Sequence, residues 1–191
     1  MEYLRWKSDK EDGFCAIHNP VIDDEPLYVG QSLVNTWPDD VTTRMKDDYP
    51  DDIELADNLY YPMHPIISER IVEVLKNALP EGSVEFLPVT IINHKGRAEE
   101  APYYILHALE VIDCIDQEAS EVEWNPLAPK EISDCMGLVF IEDSIPDNSK
   151  LFRLKHWGSV IIIRSDLAEQ LESEGFTGLY FPEAEGYDGI G

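Results

Sequence analysis

The stretch most suggestive of chemistry is Ser68-Glu69-Arg70, which places a hydroxyl, a carboxylate and a guanidinium side by side. A serine nucleophile needs a base that the fold brings to it, and no motif in the sequence nominates one. Ser68 also directly precedes a helical pattern of apolar residues, so its hydroxyl can accept a hydrogen bond from the first turn. Glu69 would complement the positive end of the helix dipole. We therefore predict that Ser68 is a helix N-cap rather than a nucleophile.

No other short motif predicts catalysis, a cofactor or a metal centre. The chain lacks the glycine-rich loops, the nucleophile elbow and the His-Glu-x-x-His pattern of common enzyme classes. The histidines stand singly, and His107 within an apolar strand pattern favours a hydrogen-bonded core residue over a ligand. The run 113–116 (DCID) could bind a metal, although a turn at a strand end explains it better. Residues 49–57 resemble a calcium loop, but their acids have the wrong spacing.

The dominant compositional feature is negative charge: 39 acidic residues against 14 basic ones give a formal net charge of −25. A field of that sign repels nucleic acids and anionic membranes, and it attracts basic proteins. With 43% hydrophobic residues, the chain can nevertheless bury a core. We therefore expect a folded protein whose partner is another protein, not a nucleic acid or a membrane.

Cysteine usage and the absence of long apolar segments predict the compartment. Cys15, Cys114 and Cys135 are widely spaced and odd in number, which suits reduced thiols better than a disulfide framework. The first residues lack the apolar stretch of a signal peptide, and no segment approaches the ~20 apolar residues of a membrane span. These features predict a soluble, cytoplasmic protein.

Two short helices are predicted from apolar residues at helical spacing. The first begins at Ser68 and stops at Pro80, and the second covers 166–174 with Ser165 as its cap. Both units follow the same order of apolar run, serine, acid, helix and glycine. Shared capping chemistry explains this likeness as well as a duplication does.

The strands are predicted from apolar runs and alternation. Residues 83–93 and 102–113 predict a hairpin of two central strands, because the second carries apolar side chains on both faces. Segments 38–57 and 114–134 are predicted to be loops. Further strands are predicted at 14–18, 26–30, 136–142, 151–156, 159–164 and 177–181.

Together these elements predict a single α+β domain with a mixed, mostly antiparallel sheet and a few short helices. We divide it into an acidic N-terminal segment of short strands and loops (1–48), a core (49–182) and a flexible C-terminal tail (183–191).

The order of five segments resembles a known bacterial family. They are PIISERIVEVL, VEFLPVTIINHKG, PYYILHALEVIDCID, LFRL and SDLAEQLESEGFTGLYF, within about residues 49–182. They are similar to a family once described as a domain of unknown function and later grouped with the immunity proteins of polymorphic toxin systems. The resemblance implies a cytoplasmic protein, encoded beside a toxin, that binds and neutralises this cognate toxin before export. The shared segments are fold-forming, so they imply no catalytic residues.

The predicted contact surface combines clustered acids with aromatic residues. This combination suits a basic protein surface, because aromatics supply buried hot spots and charge speeds the encounter. The aromatic candidates are Trp37, Tyr49, Tyr60 and Tyr61. The predicted partner-binding residues are Asp39, Asp40, Asp47, Asp48, Tyr49, Asp51, Asp52, Glu54 and Asp57. A solvated loop would explain the same composition.

Two other functions remain open from the sequence. An acidic nucleic-acid mimic would use the same charge to sequester a DNA-binding protein, and an enzyme would assemble its site from scattered residues. A DNA-processing partner would favour the mimic. A cleft with convergent residues of perturbed pKa would favour the enzyme. The sequence does not specify the oligomeric state.

Overall fold

Two four-stranded sheets form the framework of the chain, whose computed structural model describes residues 2–60 and 63–189. Within these residues the strands are β1 (Tyr3–Arg5), β2 (Lys7–Ser8), β3 (Thr42–Arg44), β4 (Ile66–Ser68), β5 (Val84–Ile92), β6 (Tyr103–Ala108), β7 (Val111–Ile112), β8 (Glu123–Trp124), β9 (Ile132–Asp134), β10 (Leu151–Leu154), β11 (Trp157–Arg164) and β12 (Leu179–Tyr180). The α-helices are α1 (Glu25–Tyr28), α2 (Glu69–Ala78) and α3 (Ser165–Ser173). Mixed sheets with a few short helices confirm the predicted α+β class.

The two sheets have the orders β3-β5-β6-β4 and β1-β11-β10-β7. β5 and β6 pair antiparallel from Val84 opposite Ala108 to Val89 opposite Tyr103, which confirms the predicted hairpin. Each sheet is mixed because one outer strand runs parallel to its neighbour: β3 along β5, and β7 along β10. Two smaller pairs, β2–β12 and β8–β9, complete the strand pairing of the described residues.

Helices α2 and α3 share one apolar cluster with both sheets. In each unit a strand passes directly into a helix, β4 into α2 and β11 into α3. The cluster includes Ile71 and Leu75 of α2, Leu167 and Leu171 of α3, Ile67 and Leu106 of the first sheet, and Ile161 and Ile163 of the second. The opposite face of the first sheet is covered by the N-terminal segment, and that of the second by residues 114–145. Because both faces of each sheet are covered, the inner strands consist of nearly continuous apolar residues.

Several predicted strands and loops are wrong. Residues 26–30 form most of α1 and its end, because Pro26 is pre-organised for a first helical turn. In 136–142, Leu138 and Phe140 are buried without forming a strand, and Phe140 makes only an isolated bridge with Ile115. Residues 14–18 likewise make only isolated bridges.

The loop predictions also need correction. Segment 38–57 contains β3, whose Thr43 is buried between exposed neighbours, and segment 114–134 contains the β8–β9 hairpin. These strands are two or three residues long, too short for an alternating pattern to stand out. In the predicted tail, Ala184 is fully buried and Tyr187 stacks on Trp157, while residues 190 and 191 lie outside the described residues.

Helix α1 lies across the junction between the sheets. A β-carbon added to Gly158 of β11 would overlap the backbone carbonyl of Tyr28. Gly30, with a φ of 67°, packs equally closely on the backbone of Leu109. Glycine at both positions therefore lets the α1 segment approach the strands.

This close approach predicts that Gly158→Ala lowers the free energy of unfolding by about 2 kcal/mol, because α1 must move away from β11. Urea denaturation measures the change. Gly137→Ala is the control, since its β-carbon would lie 3.6 Å from the nearest atom, an ordinary contact. Equal stability of the two variants would contradict the proposed fit of α1.

Candidate functional site

An exposed acidic loop, residues 47–54, follows β3. Turns at Lys46–Tyr49 and Tyr49–Asp52 shape it through backbone hydrogen bonds of 3.3 and 3.1 Å. Its exposed carboxylates are Asp47, Asp48, Asp51 and Glu54. Between them Tyr49 is 45% exposed and Ile53 is 64% exposed. The loop therefore presents one aromatic and one aliphatic side chain between exposed carboxylates.

Lys10 holds the acidic loop against the fold, and His94 packs beside it. The Lys10 ammonium lies 2.8 Å from the carboxylate of Asp52 and 4.4 Å from the centre of the Tyr49 ring. The hydrogen bond with Asp52 raises the pKa of Lys10. On the other side, Nδ1 of His94 lies 3.6 Å from Asp47. The half-buried Asp52 is thus paired within the chain, and the loop is partly ordered before any partner binds.

The remaining predicted surface residues lie apart from the acidic loop. Asp39 and Asp40 are exposed and precede β3. Trp37 is half-buried, and its indole N–H donates to the carbonyl of Pro88 at 2.9 Å. Tyr60 is half-buried, and Tyr61 lies outside the described residues. The structure therefore brings together 47–54 but not the aromatic set.

Asp57 differs from the rest of the predicted set because it is buried, with 7% of its surface exposed. Its carboxylate accepts hydrogen bonds from the Ser68 hydroxyl at 2.8 Å and from Arg70 at 3.1 Å. The backbone N–H of Thr177 donates to it at 3.1 Å. Ser68 and Arg70 begin α2, whereas Thr177 follows α3, so this carboxylate connects the two strand–helix units.

Ser68 occupies the N-cap position of α2, as predicted, but its hydroxyl bonds to Asp57 instead of capping the first turn. A buried carboxylate is the stronger acceptor, and it lies eleven residues earlier in the sequence. Ser165 does not occupy the N-cap position: it is the first residue of α3, and Arg164 holds that position. The predicted position of Ser68 is thus confirmed without the predicted capping hydrogen bond, and the predicted cap at Ser165 is wrong.

Removal of the Asp57 carboxylate should destabilise the fold, because the buried Ser68 hydroxyl and the half-buried N–H of Thr177 then lose their acceptor. We expect Asp57→Ala to lower the free energy of unfolding by about 2 kcal/mol in urea titrations. Asp51→Ala, at an exposed position, should stay within about 0.5 kcal/mol of the wild type. A small loss for Asp57→Ala would mean that the two units are joined by apolar packing alone.

A polar cluster of Arg153, His64 and His107 lies buried where the two sheets meet α1. Arg153 is fully buried, and its Nη1 donates to the carbonyl of Gly158 at 2.5 Å. His107 Nε2 lies 2.9 Å from the carbonyl of Gln31. Within the part of the chain that the structure describes, Arg153 Nε and Nη2, both ring nitrogens of His64 and Nδ1 of His107 have no hydrogen-bond partner.

Burial controls the charges of this cluster. Desolvation lowers the pKa of Arg153 to about 10, so the guanidinium stays charged at neutral pH. Desolvation and then the Arg153 charge lower the pKa of His64 to about 4, against the weaker effect of Asp24. The pKa of His107 falls mainly through burial as well. Both histidines are enclosed, so these shifts report burial rather than an accessible catalytic site.

The lowered pKa of His64 predicts that the free energy of unfolding decreases in acid. Its native pKa of about 4 lies below the ordinary 6.5, so only the unfolded chain takes up the proton between these values. Stability should fall as pH drops from 6.5 towards 4, by up to about 3 kcal/mol from this residue. His64→Phe, which keeps a ring against Tyr28, should show a weaker pH dependence in urea titrations.

The matched control is His18→Phe, because His18 is exposed. This variant should keep the pH dependence of the wild type. If His64→Phe behaved the same way, His64 would not be the group that resists protonation.

The described residues contain no group of three or more His, Cys, Asp or Glu side chains placed to hold a metal ion. All three cysteines are buried and unbridged. Nowhere in the described chain does a helix reach the length and apolar character needed to cross a membrane.

Comparison with protein families identifies the class of protein. Residues 16–186, nearly the whole chain, match the model of an immunity protein family. The chain belongs to this family, the Immunity protein family (Imm11). The match confirms the resemblance seen in 49–182 and extends it into the N-terminal segment. No curated protein matches the chain.

Proposed function

We propose that the chain binds its cognate toxin and neutralises it by covering a basic functional surface. Membership of an immunity family supports neutralisation of a toxin in general. The exposed acidic loop is the observation that supports a basic contact surface. Neutralisation then works by occlusion in the cytoplasm of the producing cell, and the chain needs no catalytic group of its own.

The acidic loop has the composition of a protein contact. Tyr49 and Ile53 supply exposed surface that a partner can bury, and the surrounding carboxylates steer a basic protein towards them. Because Lys10 already holds Asp52 and Tyr49, less ordering is required on binding. An interface of ordinary size, about 1,600 Å² in total, extends beyond these residues.

The predicted contact residues outside the exposed part of the loop have supporting roles in the proposed contact. Asp39 and Asp40 are exposed and contribute charge at the edge of the contact. Asp52 orders the loop through Lys10. Asp57 supports the end of the loop from the interior through Ser68 and Arg70.

Co-expression tests the proposed function. The protein encoded beside this chain is produced in a sensitive strain with and without the chain, and the two purified proteins are mixed and analysed by gel filtration. We expect rescue of growth and a stable complex. Absence of both would overturn the proposed function.

Charge reversal tests the contact surface. Changing Asp47, Asp48, Asp51 and Glu54 to lysine should slow association with that protein by about tenfold or more at low salt. The salt dependence of the association rate should shrink as well. Stopped-flow or surface-plasmon measurements give both quantities.

The control carries the same change in net charge on another surface. It replaces Glu73, Glu169, Glu172 and Glu174, all exposed on or directly after α2 and α3, by lysine. If both quadruple variants slowed association equally, only net charge would matter, and the acidic loop would not be the contact.

A further inference from the structure

The β8–β9 hairpin carries a turn, residues 125–131, of which five of the seven residues are exposed. Its base is fixed to the second sheet. Ile132 is buried in the apolar cluster of that sheet, and its N–H donates to the carbonyl of His156 at 2.7 Å. The ring of His156 packs edge-on against Trp124, with 5.4 Å between the ring centres. The base of the hairpin is therefore held by the fold, while its turn faces solvent.

Hydrogen bonds and prolines order the turn around Leu127. The side-chain oxygen of Asn125 accepts from the N–H of Leu127 at 2.9 Å. The N–H of Asn125 donates to the carbonyl of Glu131 at 2.8 Å, which closes the turn. Pro126 and Pro129 restrict the backbone on each side of Leu127. The turn is thus formed before a partner arrives, and little further ordering is needed on binding.

The turn displays apolar surface. Leu127 is 93% exposed, and Trp124, three residues earlier on the same hairpin, is 38% exposed. Burial of one leucine side chain by a partner favours binding by about tenfold or more. A single exposed leucine is nevertheless ordinary on a protein surface. The charges beside it provide a second, independent observation.

Two carboxylates face each other across the hairpin. Glu123 pairs directly with Asp134, so their side chains lie on the same face, and both are exposed. Neither forms an ion pair with a basic side chain among the described residues. Like charges in directly opposite positions destabilise a strand pair. A cation placed between these carboxylates would relieve their repulsion.

The chemistry of the hairpin favours a basic side chain as that cation. Residues 121–134 contain four acidic side chains and one basic side chain, so their local field attracts positive charge. Within the part of the chain that is described, no third acidic, histidine or cysteine side chain joins Glu123 and Asp134 to form a metal site. A basic protein surface with an apolar pocket matches both the charge pair and Leu127.

We propose that the β8–β9 hairpin is a second contact for the toxin. Leu127 enters an apolar pocket of the toxin, and a basic side chain of the toxin lies between Glu123 and Asp134. This inference rests on the proposed function. The acidic loop and the hairpin then both bind basic parts of the toxin, and the hairpin adds the burial of an ordered apolar side chain.

Leu127→Ser tests the apolar contact. We expect the neighbouring-gene protein to dissociate about tenfold faster from this variant, because the burial of a leucine is lost. The association rate should stay unchanged, since the substitution alters no charge. Val21→Ser is the control: Val21 is fully exposed and lies outside the hairpin. Its dissociation rate should equal that of the wild type. Surface-plasmon measurements give both rates.

Glu123→Lys tests the charged contact through two effects of opposite sign. In the free chain the new ammonium would face Asp134, so the midpoint of thermal unfolding should rise. In the complex it would repel the basic side chain of the toxin, so the affinity should fall about tenfold. Glu169→Lys, on the exposed side of α3, carries the same change in charge. At about 0.15 M salt this control should keep the wild-type affinity within about twofold.

The outcomes separate the two proposals. If the wild type forms the complex and either Leu127→Ser or Glu123→Lys binds like its control, the inference is overturned and the proposed function stands. If the wild type forms no complex, the proposed function is overturned, and the inference fails with it. A homodimer that Leu127→Ser dissociates, with toxin binding unchanged, assigns the hairpin to a second copy and also overturns the inference.

Discussion

The buried carboxylate of Asp57 is the polar interaction that connects the two strand–helix units of the fold. It accepts hydrogen bonds from Ser68 and Arg70 at the start of α2 and from Thr177 after α3. Since an ionised carboxylate is stable in the interior only with such donors, these three residues must meet at one point. The same two helices share one apolar cluster. The same hydrogen bonds hold Asp57 in place, three residues after the end of the acidic loop.

The distribution of charge follows from this framework. Nearly all charged side chains can lie in water, because the residues that the fold buries are mostly apolar. Among the described residues, the buried Asp, Glu, Lys and Arg side chains are those of Asp57 and of Arg153, which is enclosed at the junction with α1. The exposed carboxylates of the acidic loop are part of this solvated charge.

Sequence reasoning succeeded where a pattern is long and local. The hairpin β5–β6 and the helix α2 have enough residues for periodicity to identify them. It failed for α1, whose four residues make only about one helical turn, too short for a repeating pattern. The contacts of Asp57 join it to Thr177, which lies 120 residues further along the chain. Spacing along the chain carries no information about such contacts, which only the fold creates.

Hydrogen–deuterium exchange of the chain alone and in complex with the neighbouring-gene protein tests the central claim most directly. The acidic loop is exposed and turn-rich, so its amides exchange quickly in the free chain. If the loop is a contact for the toxin, exchange of residues 47–54 slows in the complex. A stable complex in which these amides exchange as fast as in the free chain would contradict the account.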